Sequence, residues 1–258
     1  MKKKLAILGA LVLGSAWCIH RNKKYPLAKG YGLFNKVAIN GAVINTHTVK
    51  LGNKLLAYKN LPNVPSNLIR ESKKIKTRDN AEINLSIYKA KDMNEKQPCL
   101  VYFHGGGFFL KDEAYIHKIV MKYALFAKCT VVFVHYRTCD GYPFPTPFYD
   151  CCDAMEYAEN LNIDKDRIAV GGDSAGGALA ASCTHWCKDH HILLCFQLLI
   201  YPVIDKRMKT DTAIRYKYGP LWNSSMSKKM WELYLRDGVT DKEEYASPIL
   251  AKDFGGLP

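Results

Sequence analysis

From residue 73 onward, the chain alternates between strand-like and helix-like patterns. Two segments alternate polar and apolar residues, as half-exposed strands do, and three continuous apolar runs are typical of strands buried on both faces. The predicted strands are 73–78, 82–88, 99–103, 130–136, 167–171 and 193–201, and the predicted helices are 114–128, 148–160 and 175–188. This alternation indicates parallel βαβ units. The predicted fold class is therefore α/β, with an open, mostly parallel sheet flanked by helices.

Two segments depart from this alternation. Residues 206–246 are charged, carry Trp222 and Trp231, and are typical of a helical insertion or lid. At the N-terminus, three lysines precede an apolar run from Leu5 to Ile19, and further basic residues follow it, as in a signal peptide or a short membrane anchor. Spanning a bilayer takes about 20 apolar residues, so a cleaved signal, an uncleaved anchor and an interfacial segment all stay open. We favour the uncleaved anchor over a buried helix.

The charge is concentrated at the N-terminus. The formal net charge is +13, yet residues 1–70 hold 12 Lys or Arg and no acid, and the remaining residues are almost neutral. A neutral body argues against nucleic-acid binding. The basic segment instead predicts contact of residues 1–70 with an anionic membrane surface. We expect association with the membrane through the N-terminal segment and a cytoplasmic body, with a secreted or a cytoplasmic protein as alternatives.

The nine cysteines favour a reducing compartment, because their number is odd and several lie in apolar patterns. Strand-like runs contain Cys99, Cys129 and Cys195, and helical patterns contain Cys151, Cys152 and Cys183. One segment has metal-like spacing, formed by Cys183, His185, Cys187, His190 and His191. No second cysteine pair accompanies it, so we predict neither a metal site nor a cofactor there.

A glycine-rich pentapeptide lies where a predicted strand meets a predicted helix. Gly172-Asp173-Ser174-Ala175-Gly176 fits the pattern G-x-S-x-G. A strand that turns sharply into a helix projects the serine hydroxyl above the sheet, and only small residues fit around such a turn. A bare glycine turn is the alternative, but the strand-turn-helix context favours Ser174 as a nucleophile.

A second glycine-rich loop follows the strand that ends at Phe103. Its sequence is His104-Gly105-Gly106-Gly107-Phe108. A flexible turn or a phosphate loop could have this composition, but the Lys-Ser/Thr of a phosphate loop is missing. Together with the pentapeptide, the loop predicts an oxyanion hole made by the N–H groups of Gly105, Gly106 and Ala175.

With these two motifs in this order, the sequence resembles the hormone-sensitive-lipase-like (fold-3) branch of the α/β-hydrolases. Further matching segments are His135-Tyr136-Arg137, Pro143-Phe144-Pro145, Tyr201-Pro202-Val203-Ile204-Asp205 and Ala246-Ser247-Pro248. The resemblance implies serine-dependent hydrolysis of small carboxylic esters through an acyl-enzyme, with a Ser-Asp-His triad. It also implies a basic lid segment at 25–70 and a hydrolase domain at 71–258 with a lid insertion at about 206–246, which follow the signal or anchor segment that the apolar run predicts at 1–24.

The sequence departs from that family after Gly255-Gly256-Leu257-Pro258, where the family continues into the loops of the catalytic acid and histidine. Three histidines follow Ser174, namely His185, His190 and His191, and all lie on or just beyond the helix that Ser174 opens. The possible acids are Asp205, Asp211, Asp237, Asp241 and Asp253. We therefore expect a C-terminally incomplete esterase with weak or no turnover. The alternative is a non-catalytic ligand-binding or inactive homologue, similar in this respect to the plant gibberellin receptor.

Overall fold

A computed structural model describes residues 18–20, 25–35, 37–57, 61–91 and 96–258 of the chain. In chain order the strands are β1 (Cys18–His20), β2 (Val37–Ile39), β3 (Leu68–Lys76), β4 (Glu82–Ala90), β5 (Cys99–Phe103), β6 (Thr130–His135), β7 (Ile168–Asp173) and β8 (Phe196–Ile200). The α-helices are α1 (Thr46–Ala57), α2 (Ala114–Phe126), α3 (Thr146–Glu159), α4 (Ala175–Asp189), α5 (Asp211–Arg215), α6 (Ser224–Tyr234) and α7 (Glu243–Ala246).

Six strands form one mixed sheet in the order β3-β4-β6-β5-β7-β8. The pairs β6–β5, β5–β7 and β7–β8 are parallel, whereas β3–β4 and β4–β6 are antiparallel. The continuous apolar runs 99–103 and 130–136 became the central strands β5 and β6, since a strand covered by helices on both faces has no polar side, whereas the run 193–201 contains the edge strand β8. The predicted α/β class is confirmed.

The side chains of β5 alternate between two cores, one on each face of the sheet. Leu100 and Tyr102 lie in the core that α2 covers, whereas Val101 and Phe103 lie in the core that α3 and α4 cover. Successive residues of a strand point to opposite faces, so a run of five apolar residues supplies both cores. This sheet positions the carboxyl ends of β5 and β7 side by side.

Two predicted strands have different limits in the structure. Strand β3 begins at Leu68 and not at residue 73, so the sheet extends across the predicted boundary between residues 70 and 71. Strand β8 is shorter than the predicted 193–201 and is half-exposed, with 55% of Phe196 accessible to solvent, and the predicted end residues Leu193 and Tyr201 lie outside it and are exposed. Among the described strands, β8 pairs with β7 alone, and its outer edge is therefore uncovered.

The N-terminal segment is described only in part. Cys18 and Ile19, the last residues of the predicted anchor run, lie in β1, which pairs antiparallel with β2. Residues 1–17 and 21–24 lie outside the described residues, so the predicted anchor and its membrane contact stay predictions. No helix in the described ranges has both the length and the apolar character needed to cross a membrane.

The two segments predicted to form a lid contact each other. The Gly41 N–H donates to Ser225 Oγ at 3.1 Å, and Asn223 Nδ2 donates to the Ile39 carbonyl at 2.9 Å. A Cβ on Gly41 would lie 2.2 Å from the Ser225 carbonyl oxygen, so this position admits glycine alone. Tyr25 also stacks on Tyr216, with ring centroids 5.3 Å apart.

Seven of the eight cysteines with described side chains are buried, and Cys195 is exposed. The prediction that Cys195 lies inside an apolar strand is corrected, because it precedes the exposed β8. Burial raises the pKa of Cys151 and Cys152 well above the usual range. Burial also acts to raise the pKa of Cys183, but hydrogen bonds from those two thiols lower it to about 6. Cys183 is fully buried, so no reagent can reach it.

We therefore expect the folded chain, in a Cys18→Ser background, to show one thiol that reacts rapidly with an aromatic disulfide reagent. Reactivity requires an accessible thiolate, and Cys195 is the accessible group among those described. Cys195→Ser should remove the fast phase, and Cys187→Ser, the control, should leave it unchanged. The absorbance of the released thiolate measures both, and a second fast equivalent would contradict the buried placement.

Candidate active site

Ser174 occupies the sharp turn between β7 and α4, as the sequence predicts. Its backbone has φ 52° and ψ −115°, a left-handed conformation that non-glycine residues rarely adopt. The turn is fixed on both sides, because the Ser174 N–H donates to the Ile200 carbonyl at 2.9 Å and the Val203 N–H donates to the Ser174 carbonyl at 3.2 Å. Ser174 is partly exposed while both neighbours are buried. Strain of this kind, held by surrounding structure, is typical of a nucleophile turn.

The glycines of the pentapeptide are required by close backbone contacts. A Cβ on Gly176 would lie 2.0 Å from the Phe103 carbonyl oxygen, and one on Gly172 would lie 2.4 Å from the Gly176 carbonyl. No side chain fits at either distance. The start of α4 therefore packs directly on the end of β5, where the second glycine loop begins.

The second loop is anchored to the residue before Ser174. Asp173 Oδ1 accepts hydrogen bonds from the Gly105 N–H and from the Tyr102 hydroxyl, both at 3.0 Å. The predicted oxyanion role of Gly105 conflicts with this contact, since its N–H is already engaged. Asp173 and Tyr102 were not singled out from the sequence, because position x of G-x-S-x-G carries no signal of its own.

The other N–H groups of the site remain available. No backbone hydrogen bond within residues 96–258 engages the N–H of Gly106 or Gly107. Gly106 has φ 119° and Gly107 has φ 63°, conformations that glycine adopts without strain. The N–H of Ala175 lies at the first position of α4, where a helix leaves donors without an intrahelical partner. Such donors beside a serine suit a developing oxyanion.

His104 is a structural part of this loop. Its ring is buried and stacks on Tyr136 at a centroid distance of 4.3 Å, and its Nδ1 lies 2.6 Å from the Gly105 carbonyl oxygen. The Tyr136 hydroxyl donates to the His104 carbonyl at 2.7 Å. Burial lowers the pKa of His104, so the imidazole is held neutral. It supports the backbone of the glycine loop.

The three histidines that follow Ser174 lie away from it. His185 is in the third turn of α4, and ten residues of helix correspond to about 15 Å along the axis. Its ring contacts Phe254, whereas His190 stacks on Trp186 at 4.1 Å. Within residues 25–35, 37–57, 61–91 and 96–258, no hydrogen bond joins Ser174 Oγ to a histidine.

Three of the five aspartates considered as catalytic acids pair with other side chains, and the remaining two are exposed. Asp205 pairs with Arg207 at 2.8 Å, and Asp253 pairs with Lys188 at 2.6 Å. Asp241 accepts a hydrogen bond from the Tyr149 hydroxyl. Asp211 and Asp237 are exposed, the first at the start of α5. None of the five orients an imidazole in the described part of the chain.

Comparison with known proteins places these features in one family. A family described as the α/β hydrolase fold matches residues 100–258. The arylesterase of Saccharolobus solfataricus is 32% identical over 214 residues, covering 80% of this chain and 68% of that protein. The ethyl acetate hydrolase of Pseudomonas putida is 30% identical over 182 residues, covering 67% and 57%.

The solved structures agree with these relatives. A bacterial heroin esterase superposes with a TM-score of 0.67 at 28% identity, covering 81% of this chain and 68% of that one. This chain spans between about half and two thirds of the length of the first curated relatives that it matches.

Proposed function

The chain belongs to the α/β-hydrolase fold family, among esterase relatives, and from this premise we propose that it carries the nucleophile and the oxyanion hole of a serine carboxylesterase. Ser174 Oγ attacks the acyl carbonyl of a small ester, the alcohol leaves, and water later releases the acid from the acyl-enzyme. The placement of Ser174, strained and partly exposed beside a loop of free N–H donors, carries this proposal.

The oxyanion donors in this proposal are Gly106, Gly107 and Ala175. The Gly105 N–H is excluded because it donates to Asp173. That bond has its own function here, since it ties the glycine loop to the residue that precedes the nucleophile. A hole is effective only when its donors are fixed before the reaction, and Asp173 together with Tyr102 supplies that fixation.

Proton transfer limits the rate that we expect from these 258 residues. An unassisted serine hydroxyl is a poor nucleophile, and removing the base of a triad costs about as much as removing the whole triad. No described histidine contacts Ser174. We therefore expect slow acylation, still slower deacylation, and acceleration when a diffusible base such as imidazole is added.

The decisive experiment measures acylation of Ser174. The chain is incubated with p-nitrophenyl acetate, with and without imidazole, and the acetylated peptide is identified by mass spectrometry. In a Cys195→Ser background, we expect the peptide that contains residue 174 to carry an acetyl group on Ser174, formed faster with imidazole and absent in Ser174→Ala. The exposed Ser66 provides a matched control, since Ser66→Ala should acylate as the unmodified chain does.

Two outcomes would go against this proposal. Acetylation that persists in Ser174→Ala would place the reaction at another side chain. A folded chain that binds the ester but gives no adduct, even with imidazole, would favour the non-catalytic ligand-binding alternative.

A further inference from the structure

A second cluster of polar side chains lies on the other face of the sheet, where α2 covers β4 and β6. Asp112 follows the glycine loop, His117 is in the first turn of α2, and His135 ends β6. One ligand atom from each lies within 4.8 Å of those of the other two. Three separate segments thus bring two imidazoles and a carboxylate together.

Both imidazoles point a ring nitrogen at the same carboxylate. His117 Nε2 lies 2.8 Å from Asp112 Oδ2, and His135 Nδ1 lies 3.0 Å from Asp112 Oδ1. Two imidazole nitrogens and a carboxylate within 4.8 Å of one another are a donor set that suits divalent zinc, cobalt or nickel ions.

The opposite nitrogens of both rings meet hydroxyl groups. Tyr88 Oη lies 2.7 Å from His117 Nδ1, and Ser86 Oγ lies 2.9 Å from His135 Nε2. A hydroxyl oxygen can accept the N–H of the far nitrogen, and this tautomer turns the lone pair of the near nitrogen toward Asp112. Histidines that bind metals have such an outer hydrogen bond almost without exception.

The dimensions and the exposure of the cluster also fit an ion. Tetrahedral zinc, with ligands at about 2.1 Å, separates its ligand atoms by about 3.4 Å. Each observed nitrogen–oxygen distance would open by about half an ångström, and the ligand atoms that lie up to 4.8 Å apart would move closer together. His117 is fully buried, whereas the side chains of Asp112 and His135 are 19% and 21% exposed, which leaves an entry route and room for a water ligand.

We propose that Asp112 Oδ, His117 Nε2 and His135 Nδ1 form a binding site for a divalent transition-metal ion of the zinc class, with Tyr88 and Ser86 orienting the two imidazoles. In the metal-bound form each ring keeps one proton, on the nitrogen that faces the hydroxyl, so a neutral imidazole moves its proton from the nitrogen near Asp112 to the far nitrogen, and an imidazolium releases one proton to solvent. It joins the segment after the glycine loop to α2 and β6. The site is separate from Ser174 and independent of the proposed esterase function.

The test titrates the chelator-treated 258-residue chain with Co²⁺, and then displaces Co²⁺ with Zn²⁺. We expect one equivalent of Co²⁺ with visible d–d bands and without thiolate charge transfer. Asp112→Asn and His135→Gln should each weaken binding by more than 100-fold, and Ser86→Ala by about 10-fold, as outer partners do. The exposed His191 supplies the control, since His191→Gln should bind as tightly as the unmodified chain.

Measurements on the unmodified chain test the proposal even if a variant fails to fold. Imidazole ¹⁵N spectra of the unmodified chain should show Nε2 of His117 and Nδ1 of His135 shifting on addition of Zn²⁺, and thermal unfolding should move upward with Zn²⁺ concentration. Unchanged resonances, thiolate charge-transfer bands, or equal affinity in His135→Gln would each overturn the proposal and leave a hydrogen-bonded cluster.

Discussion

Gly176→Ala is expected to destabilise the fold by about 3 kcal/mol or more, since overpacking a closed contact forces the backbone to move. The new Cβ would lie 2.0 Å from the Phe103 carbonyl oxygen and 2.6 Å from that of His104. Both are backbone atoms at the end of β5, so no side-chain rotation relieves the clash. Either α4 moves away from the sheet or the glycine loop is displaced, and acylation of Ser174 should fall in both cases.

Gly52→Ala is the matched control for this change. Gly52 lies inside α1, and a Cβ there would have Leu110 Cδ2 as its nearest neighbour at 3.8 Å, an ordinary van der Waals distance. Alanine is favoured over glycine within a helix by roughly 0.5–1 kcal/mol, so this variant should be slightly more stable. Urea unfolding measures both variants. Native stability and native acylation in Gly176→Ala would contradict the contact between α4 and β5.

Arg137→Met is expected to cost about 3–5 kcal/mol, because it leaves a buried carboxylate without its partner. Arg137 donates to Asp150 through its backbone N–H at 2.8 Å and through Nη2 at 2.6 Å, and the Asp150 side chain is fully buried. Arg137 also pairs with the half-exposed Asp79 at 2.7 Å. Asp150→Asn in the Arg137→Met background should recover part of the loss.

The loss of stability in Arg137→Met should depend on pH, and the pKa of Asp150 determines the direction of that dependence. Burial raises the pKa of Asp150 even with Arg137 present, whereas hydrogen bonds from Arg137 and Thr77 lower that of the exposed Asp79. Without Arg137, the Asp150 pKa rises further. A carboxyl whose pKa is higher in the folded state loses stabilisation as pH increases, so the deficit of Arg137→Met should shrink between pH 7 and pH 5.

Arg207→Met is the surface comparison for this pair. Arg207 is about half exposed and bonds Asp205 at 2.8 Å, so its loss should have little effect on the free energy of unfolding at any of these pH values. Urea unfolding at pH 5 and pH 7 provides all the measurements. Equal losses for Arg137→Met and Arg207→Met would contradict the buried pair.

The central strands and the nucleophile turn could be predicted because their signals are local. The run 99–103 is apolar without interruption, and Ser174 lies between glycines that a tight turn requires. The limits of β3 and β8 were harder to predict. Leu68 begins a strand of mostly exposed residues, and apolar residues around β8 are exposed at the sheet edge. In both places the pattern of apolar and polar residues in the sequence therefore does not follow burial.

The details of the site depend on contacts between distant segments. The Gly105 N–H is engaged by Asp173, which lies 68 residues further along the chain. Asp112, His117 and His135 likewise share no short motif, whereas the metal-like spacing that the sequence does contain, at Cys183 and Cys187, lies on the buried side of α4. A cluster whose members come from three separate segments leaves no short motif in the sequence.

The contact between Gly41 and Ser225 has a consequence for sequence variation among relatives. Residue 41 can gain a side chain only where the start of α6 has moved, because its Cβ would overlap the Ser225 backbone. Substitutions near residue 41 and near residue 225 should therefore covary. A chimera that exchanges residues 206–246 with those of another esterase would need residues 37–43 from the same donor.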